Sequence, residues 1–291
     1  MTPTIGVFDS GFGGLTVLRA LIQRLPRARF AFLGDTARLP YGSKSRRTIA
    51  RYAAQSAQFL VREQGAEFLV IACNTASALA LEPIQAAIQD ALPAVPVLGV
   101  IEPGAAAARA ASRTGDVLVI ATDATVQSRA YTAACQAQGL RAIEKACPLL
   151  VPLVEEGWTA HPVTEQVIRI YLDELNAEAA DQGLNSDALV LGCTHYPLLR
   201  PLIERIVPPG MKVIDSAEST ADAALRLFNG RLAGYPTLSE ASVERVGEDA
   251  RSAPPTEIRC FATDSVEKFE RLGSRFLDRP VGKVELIDLG G

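Results

Sequence analysis

The chain has 291 residues, 48% hydrophobic and 21% charged. A chain of that size and balance can bury a sizeable core without staples, and it is neither disordered nor collagen-like. A formal net charge of −4 with no basic block argues against a surface that follows nucleic-acid phosphates. Five cysteines, an odd number at irregular spacing, make no disulfide framework and are expected as thiols in a reducing compartment.

Along the chain the apolar pattern switches between short strand-like runs and longer helical ones, the alternation of an α/β fold with largely parallel sheets. The first strand, Ile5–Phe8, lies close behind the initiator methionine. That leaves no room for a secretory leader and gives the expectation of a cytoplasmic protein. The loop Gly11-Phe12-Gly13-Gly14 then opens a helix over Leu15–Leu25. Position 16 is Thr, so the dinucleotide spacing G-x-G-x-x-G fails, although the loop N–H groups remain able to receive a carboxylate. After a strand at Phe30–Leu33 comes Pro40-Tyr41-Gly42-Ser43-Lys44-Ser45, which lacks the first glycine of a phosphate loop. Ser45 is placed to cap a helix over Arg46–Gln64.

Further strands are expected at Phe68–Ala72, Val97–Val100, Val117–Ala121, Ala142–Lys145, Ala188–Gly192, Lys212–Ile214 and Ile258–Phe261. Helices are expected at Val126–Ala137, Val163–Ala177, Ala217–Leu227 and Ser265–Phe276. The longest apolar stretches are broken by Asn74, Pro96, Glu102 and Pro103, so no membrane span is expected. Pro93, Pro96, Pro103 and Gly104, and later Pro208-Pro209-Gly210, read as crossings between two lobes. They assign residues 1–98 with 213–291 to the first lobe and 99–212 to the second. Gly234–Ser252 reads as a polar connection, followed by a loop at Pro254-Pro255.

Two segments are near copies: Leu69-Val70-Ile71-Ala72-Cys73-Asn74-Thr75 and Leu189-Val190-Leu191-Gly192-Cys193-Thr194-His195. In each an apolar strand ends in a cysteine followed by small polar residues. Asp9-Ser10, Asp35-Thr36, Thr122 and Asp215-Ser216 also sit where strands end, and open parallel sheets bind ligands outside those carboxyl ends. Both cysteines precede expected helices, beginning near Thr75 and Pro197, where a helix N-terminus favours the thiolate. The alternative, burial as small hydrophobes, fits Cys135, Cys147 and Cys260 better than this matched pair. Cys193 and His195 lie two apart, but the other cysteines are too scattered for a zinc site, so no metal is expected. Of the two histidines, His161 reads as a surface or capping residue, whereas His195 is placed to share a proton with Cys193. Asp9 would stand in the same relation to Cys73 if the first strand neighbours the third.

Taken together, Phe8-Asp9-Ser10-Gly11-Phe12-Gly13-Gly14-Leu15-Thr16-Val17, the Pro40–Ser45 segment, Ala72-Cys73-Asn74-Thr75, and Gly192-Cys193-Thr194-His195-Tyr196-Pro197-Leu198 occur in an order that resembles the glutamate racemases of the aspartate/glutamate racemase family. Asp215-Ser216 and the Thr263–Pro280 stretch extend the similarity almost to the end. The resemblance implies two pseudo-symmetric α/β lobes with the active site between them, and interconversion of L- and D-glutamate for peptidoglycan precursor supply. It implies no cofactor, and a homodimer. It makes Cys73 and Cys193 the acid/base thiols, assisted by Asp9 and His195. Substrate contacts carried over are Asp9, Ser10, Tyr41, Gly42, Asn74, Thr75, Thr194 and His195, with Thr122 and Thr125 from the second lobe and Glu155 a looser match. Ala121 stands where the family more often has glycine, and the segment between Gly230 and Pro255 is longer than the minimal family pattern.

The chemistry agrees with this reading. Inverting a stereocentre by proton exchange needs a base on one face and an acid on the other, with roles reversed for the opposite enantiomer, and two like residues suit that symmetry. Three rival readings use the same residues: a racemase for aspartate or a related acid, a non-catalytic protein that binds an acidic metabolite, and a thiol redox protein. The last lacks Cys-x-x-Cys spacing.

Overall fold

The computed structural model describes residues 3–89, 95–231 and 256–290. The chain begins with β1 (Thr4–Asp9), α1 (Leu15–Arg24), β2 (Arg29–Gly34), α2 (Arg46–Arg62), β3 (Phe68–Ile71), α3 (Asn74–Gln89) and β4 (Val97–Gly99). It continues through α4 (Ile101–Ala111), β5 (Asp116–Ala121), α5 (Asp123–Ser128), α6 (Ala130–Ala137), β6 (Arg141–Ala146), α7 (Leu150–Glu155) and α8 (Pro162–Asp181). The remaining elements are β7 (Ala188–Gly192), α9 (Arg200–Ile206), β8 (Lys212–Asp215), α10 (Ser216–Arg231), β9 (Ile258–Ala262), α11 (Val266–Leu277) and β10 (Val284–Leu286).

Every residue of β1, β3, β5 and β7 is buried. Strands covered by helices on both faces read as unbroken apolar runs, and these four all lie in the interior of two all-parallel sheets. The first sheet has the order β10-β9-β2-β1-β3-β4, the second β6-β5-β7-β8. The second order repeats the β2-β1-β3-β4 portion of the first, with β5 in the place of β1 and β7 in the place of β3. In each sheet the direction of winding reverses between those two inner strands, and this reversal is where open α/β sheets form their ligand crevice. The aliphatic side chains sealed on these strands contribute roughly 1.5–3 kcal/mol each, so the central strands anchor both lobes.

All nine expected strands are present, and their ends differ from the expected ones by one residue or none. The short edge strand β10 was not anticipated. One boundary is corrected: β8 pairs with β7, Leu191 lying opposite Asp215, so the division at 212/213 cuts a strand of the second sheet. The chain returns after Asp215 through α10, which packs against both α1 and α4. The helix expected over Val126–Ala137 is two helices, broken at Arg129 with φ of 60°. Ser128 causes the break: its hydroxyl donates to the Thr125 carbonyl and accepts from the Ala130 N–H, an alternative to helical pairing. Ser45 and His161 cap α2 and α8 as anticipated. Gly234–Ser252 and Pro254-Pro255 lie outside the described residues.

At the carboxyl edge of the first sheet, β2 ends under the glycine loop. A Cβ on Gly34 would overlap the Gly11 carbonyl oxygen and come within 2.6 Å of the Phe269 ring. Gly34→Ala is expected to cost about 1–3 kcal/mol through forced displacement of that loop, lowering Tm in a calorimetric melt by roughly 2–4 °C per kcal/mol.

Candidate active site

Cys73 stands two residues beyond the end of β3, and Cys193 directly follows β7, so the two thiols occupy closely matching places in the two sheets. Because β1 pairs with β3, Phe8 opposite Ile71, Asp9 ends its strand beside the Cys73 segment, meeting the condition set for it. Likewise Ala121 lies opposite Gly192, which brings Thr122 beside Cys193. Both cysteines line one cavity of about 370 Å³ between the lobes. Ser10, Tyr41, Gly42, Asn74 and Thr75 line it from the first lobe. Thr122, Glu155, Thr194 and His195 line it from the second. Ser43 also reaches it, a residue the sequence reading passed over.

Two expected substrate contacts do not line the cavity. Thr125 is completely buried behind it, hydrogen-bonded to Thr75 at 3.2 Å and Thr122 at 3.0 Å. Its part is to hold those two hydroxyls, one from each lobe, which also meet each other at 3.0 Å. Asp9 is sealed beneath the glycine loop: its Oδ2 accepts from the Gly11 N–H at 2.9 Å, while Oδ1 is buried without a partner. One of the loop N–H groups that could receive a ligand carboxylate is thus taken by the protein's own carboxylate. Burial raises the Asp9 carboxyl above the ordinary range, against the His195 charge and N–H donors from Gly11, Gly14 and Ser10 that lower it.

The electrostatics overturn one expectation. Cys73 does sit at a helix N-terminus and accepts from the Ala76 N–H at 3.4 Å. Burial nevertheless pushes its thiol up to about 12, with the Asp9 charge adding to the rise, and the contacts from Ser10 and Ala76 only partly offset this. Desolvation outweighs the helix dipole, and Cys73 is a thiol at neutral pH, within 3.4 Å of the Ser10 hydroxyl. At Cys193 no α-helix begins near Pro197. A short 3-10 turn, Tyr196–Leu199, intervenes before α9.

The Cys193 Sγ meets His195 Nδ1 at 3.9 Å. The other ring nitrogen faces Glu155 Oε1 at 3.4 Å, too long for a strong hydrogen bond but close for an ion pair. Burial opposes a charge on His195, yet the contacts to Cys193 and Glu155 outweigh it and lift the imidazole to about 10. Burial also acts against the Glu155 carboxylate, but His195 and Lys268 together hold it below the usual range.

Two further details were not legible beforehand. The Asn74 side-chain oxygen accepts from the Tyr131 hydroxyl at 2.7 Å, which leaves the Asn74 Nδ2 buried without a partner. Tyr131 comes from α6 of the other lobe. Tyr41 donates to Asp35 at 2.5 Å, and Asp35 is held in turn by Arg38 and Thr263 at 2.9 Å each, so the loop presents Gly42 to the cavity from a fixed base. Among the described residues no group of three or more His, Cys, Asp or Glu is placed to hold a metal ion. Cys135, Cys147 and Cys260 are buried free thiols, as expected.

A thiol at the same turning point of each of two matching parallel sheets, with both cysteines lining one small cavity, is the arrangement that proton transfer on two faces of a substrate would call for in an α/β enzyme. The chain belongs to the Asp/Glu/hydantoin racemase family, whose model matches residues 5–224. It is 52% identical to the glutamate racemase of Koribacter versatilis over 99% of this chain and 98% of that one. The fold is similar to the crystal structure of glutamate racemase from Francisella tularensis in complex with D-glutamate, at TM-score 0.82 and 34% identity over 99% of this chain and 98% of that one. It is also similar to the Thermus thermophilus glutamate racemase in complex with beta-chloro-D-alanine, at TM-score 0.80 and 39% identity over 99% and 97% of the two chains. Members of this family are isomerases.

Asp9→Asn removes the charge that helps raise the Cys73 thiol, so thiolate forms at lower pH. Iodoacetamide labelling of the Cys73 peptide, followed by mass spectrometry, is expected to rise steadily with pH up to at least 10 in the parent. In the variant that rise moves to lower pH; no movement would remove Asp9 from the control of this thiol.

Proposed function

We propose that the chain is a cofactor-independent glutamate racemase, interconverting L- and D-glutamate by two-sided proton transfer for peptidoglycan precursor supply. The reading places it in the cytoplasm as a homodimer. The single observation that carries it is the pair of thiols entering one cavity from equivalent positions of the two lobes.

Cys73 carries its proton at neutral pH, and the Cys193–His195 couple is the accepting partner. For one enantiomer this couple takes the α-proton: the C–H bond breaks and the electron pair stays on carbon. Cys73 then delivers its own proton to the opposite face. For the other enantiomer the same transfers run backwards. Hydroxyl and amide donors from Ser10, Asn74, Thr75 and Thr194 meet the α-carboxylate, where they stabilise the charge that builds up as the proton leaves. Backbone donors of the Tyr41-Gly42 loop hold the distal carboxylate. The 52% identity to a glutamate racemase favours glutamate over aspartate, which is one methylene shorter.

The two enantiomers have equal free energy in water, so kcat/KM must be equal in both directions for every variant. A fault on one face is visible only in the division between kcat and KM and in isotope effects. In deuterated water, purified protein without added cofactor is expected to place deuterium at the α-carbon of the product while unreacted substrate keeps its proton early in the reaction. Absence of deuterium incorporation from either enantiomer would exclude racemisation, and faster turnover of aspartate would reassign the substrate. Cys73→Ser and Cys193→Ser are each expected to lower kcat about 10²–10⁴-fold.

Tyr131→Phe removes one hydroxyl and leaves the Asn74 oxygen without its donor, a cost of about 1–3 kcal/mol. The freed amide can then turn its oxygen to the cavity, where it repels a carboxylate. KM for both enantiomers is expected to rise more than kcat falls. Unchanged KM in steady-state assays would show that Tyr131 does not orient Asn74.

A further inference from the structure

Lys268 does not line the cavity, yet its Nζ lies 3.1 Å from Oε2 of Glu155, whose other oxygen faces His195. Three groups from two lobes thus form one line behind Cys193. Glu155 is the last residue of α7, where the negative end of the helix dipole disfavours a carboxylate, and the Lys268 charge joins His195 in favouring its ionised form. The lysine comes from α11, which also builds the wall around the imidazole. Phe276 meets the His195 ring edge-on at 5.2 Å, and Phe12 packs against Phe269, Phe276 and His195. The Lys268 ammonium in turn lies 5.6 Å above the Phe12 ring.

We propose that Lys268 is a positioning residue for the Cys193 face: from the first lobe it holds the Glu155 carboxylate against His195, so that a helix of one lobe completes the proton-transfer unit of the other. The lysine side chain is 42% exposed, so its ion pair is screened by water and adds little to folding stability. Its effect is on where the carboxylate points. The kinetic consequence rests on the racemase reading above; the positioning itself does not.

The charged and titratable groups that face His195 are Cys193, Glu155 and, more distantly, Asp9, with Lys268 behind Glu155. This arrangement gives the test a sign. Loss of a nearby cation alone would make His195 easier to protonate, whereas loss of the positioned carboxylate makes it harder. The chain has only two histidines, and His161 is stacked on Trp158 at the start of α8, so imidazole NMR signals of Lys268→Met and Lys268→Arg can be followed with His161 as internal control. The His195 titration midpoint is expected to fall in Lys268→Met, to recover in Lys268→Arg, and to leave His161 unmoved. A midpoint that stays or rises in Lys268→Met would overturn the proposal.

In parallel, Lys268→Met is expected to lower kcat roughly tenfold, the equivalent of one charge-assisted hydrogen bond. The α-deuterium isotope effect should grow for the enantiomer whose proton goes to the Cys193 face and shrink for the other, and Lys268→Arg should restore both. Equal changes for the two enantiomers, or no recovery with arginine, would also overturn it. A parent protein that does not racemise glutamate would defeat the racemase reading, while the titration still decides the role of Lys268.

Discussion

Desolvation of the two sulfurs is the constraint on which the site depends. Cys73 and Cys193 are about 5% and 6% exposed, and the polar groups around them act in that dryness. Water would screen the acid–base partners from one another and leave the donors less able to stabilise a carbanion. Dryness has a cost, since it disfavours the thiolate that proton abstraction requires. The two lobes answer that cost differently. Around Cys73 there is a buried carboxyl and a hydroxyl, and the proton stays on sulfur. Around Cys193 there is an imidazole held charged by a carboxylate, with an ammonium behind it.

This asymmetry is compatible with a symmetric reaction. Equal free energies of the enantiomers fix the overall ratio of rates, but they place no demand on how the barrier is divided between the two faces. In the proposed reaction, a site whose Cys73 holds its proton is ready for one enantiomer and must exchange protons before it accepts the other. Burial, which lifts Cys73 to about 12, favours return of a proton lost from that sulfur. The proton inventory thus belongs to the pair of thiols and their partners as a unit.

Much of this was legible in the sequence because parallel sheets write themselves as unbroken apolar runs, and the residue after each run is displayed at the ligand edge. Cys73, Cys193, Ser10 and Thr122 were found in that way, and the pairing of β1 with β3 then brought Asp9 to Cys73. Contacts between distant segments were not written. Nothing around Lys268 indicates that it meets Glu155, and nothing around Tyr131 indicates Asn74, because both contacts exist only once the lobes face each other. The sign of the Cys73 shift was also hidden: the helix N-terminus is visible in sequence, but the burial that outweighs it is not. Ser128 did carry a local signal for the break at Arg129, but continuous amphipathic spacing on both sides masked it.

The same reasoning explains why the glycine loop is so restricted in composition. A Cβ on Gly13 would overlap the Thr194 hydroxyl and come within 2.7 Å of the His195 ring, and one on Gly14 would come within 2.6 Å of the Asp9 Cβ. The first lobe's loop is therefore pressed against the second lobe's catalytic segment on one side and its own buried acid on the other. Its glycines serve close approach of backbone to side chain, where a phosphate-binding loop would use them for approach to a ligand. Movement of one lobe against the other must shift His195 relative to Phe12 and Gly13, and Glu155 relative to Lys268, at the same time. The contacts that join the two lobes beside Cys193 are for that reason also the contacts that set the charge on the imidazole.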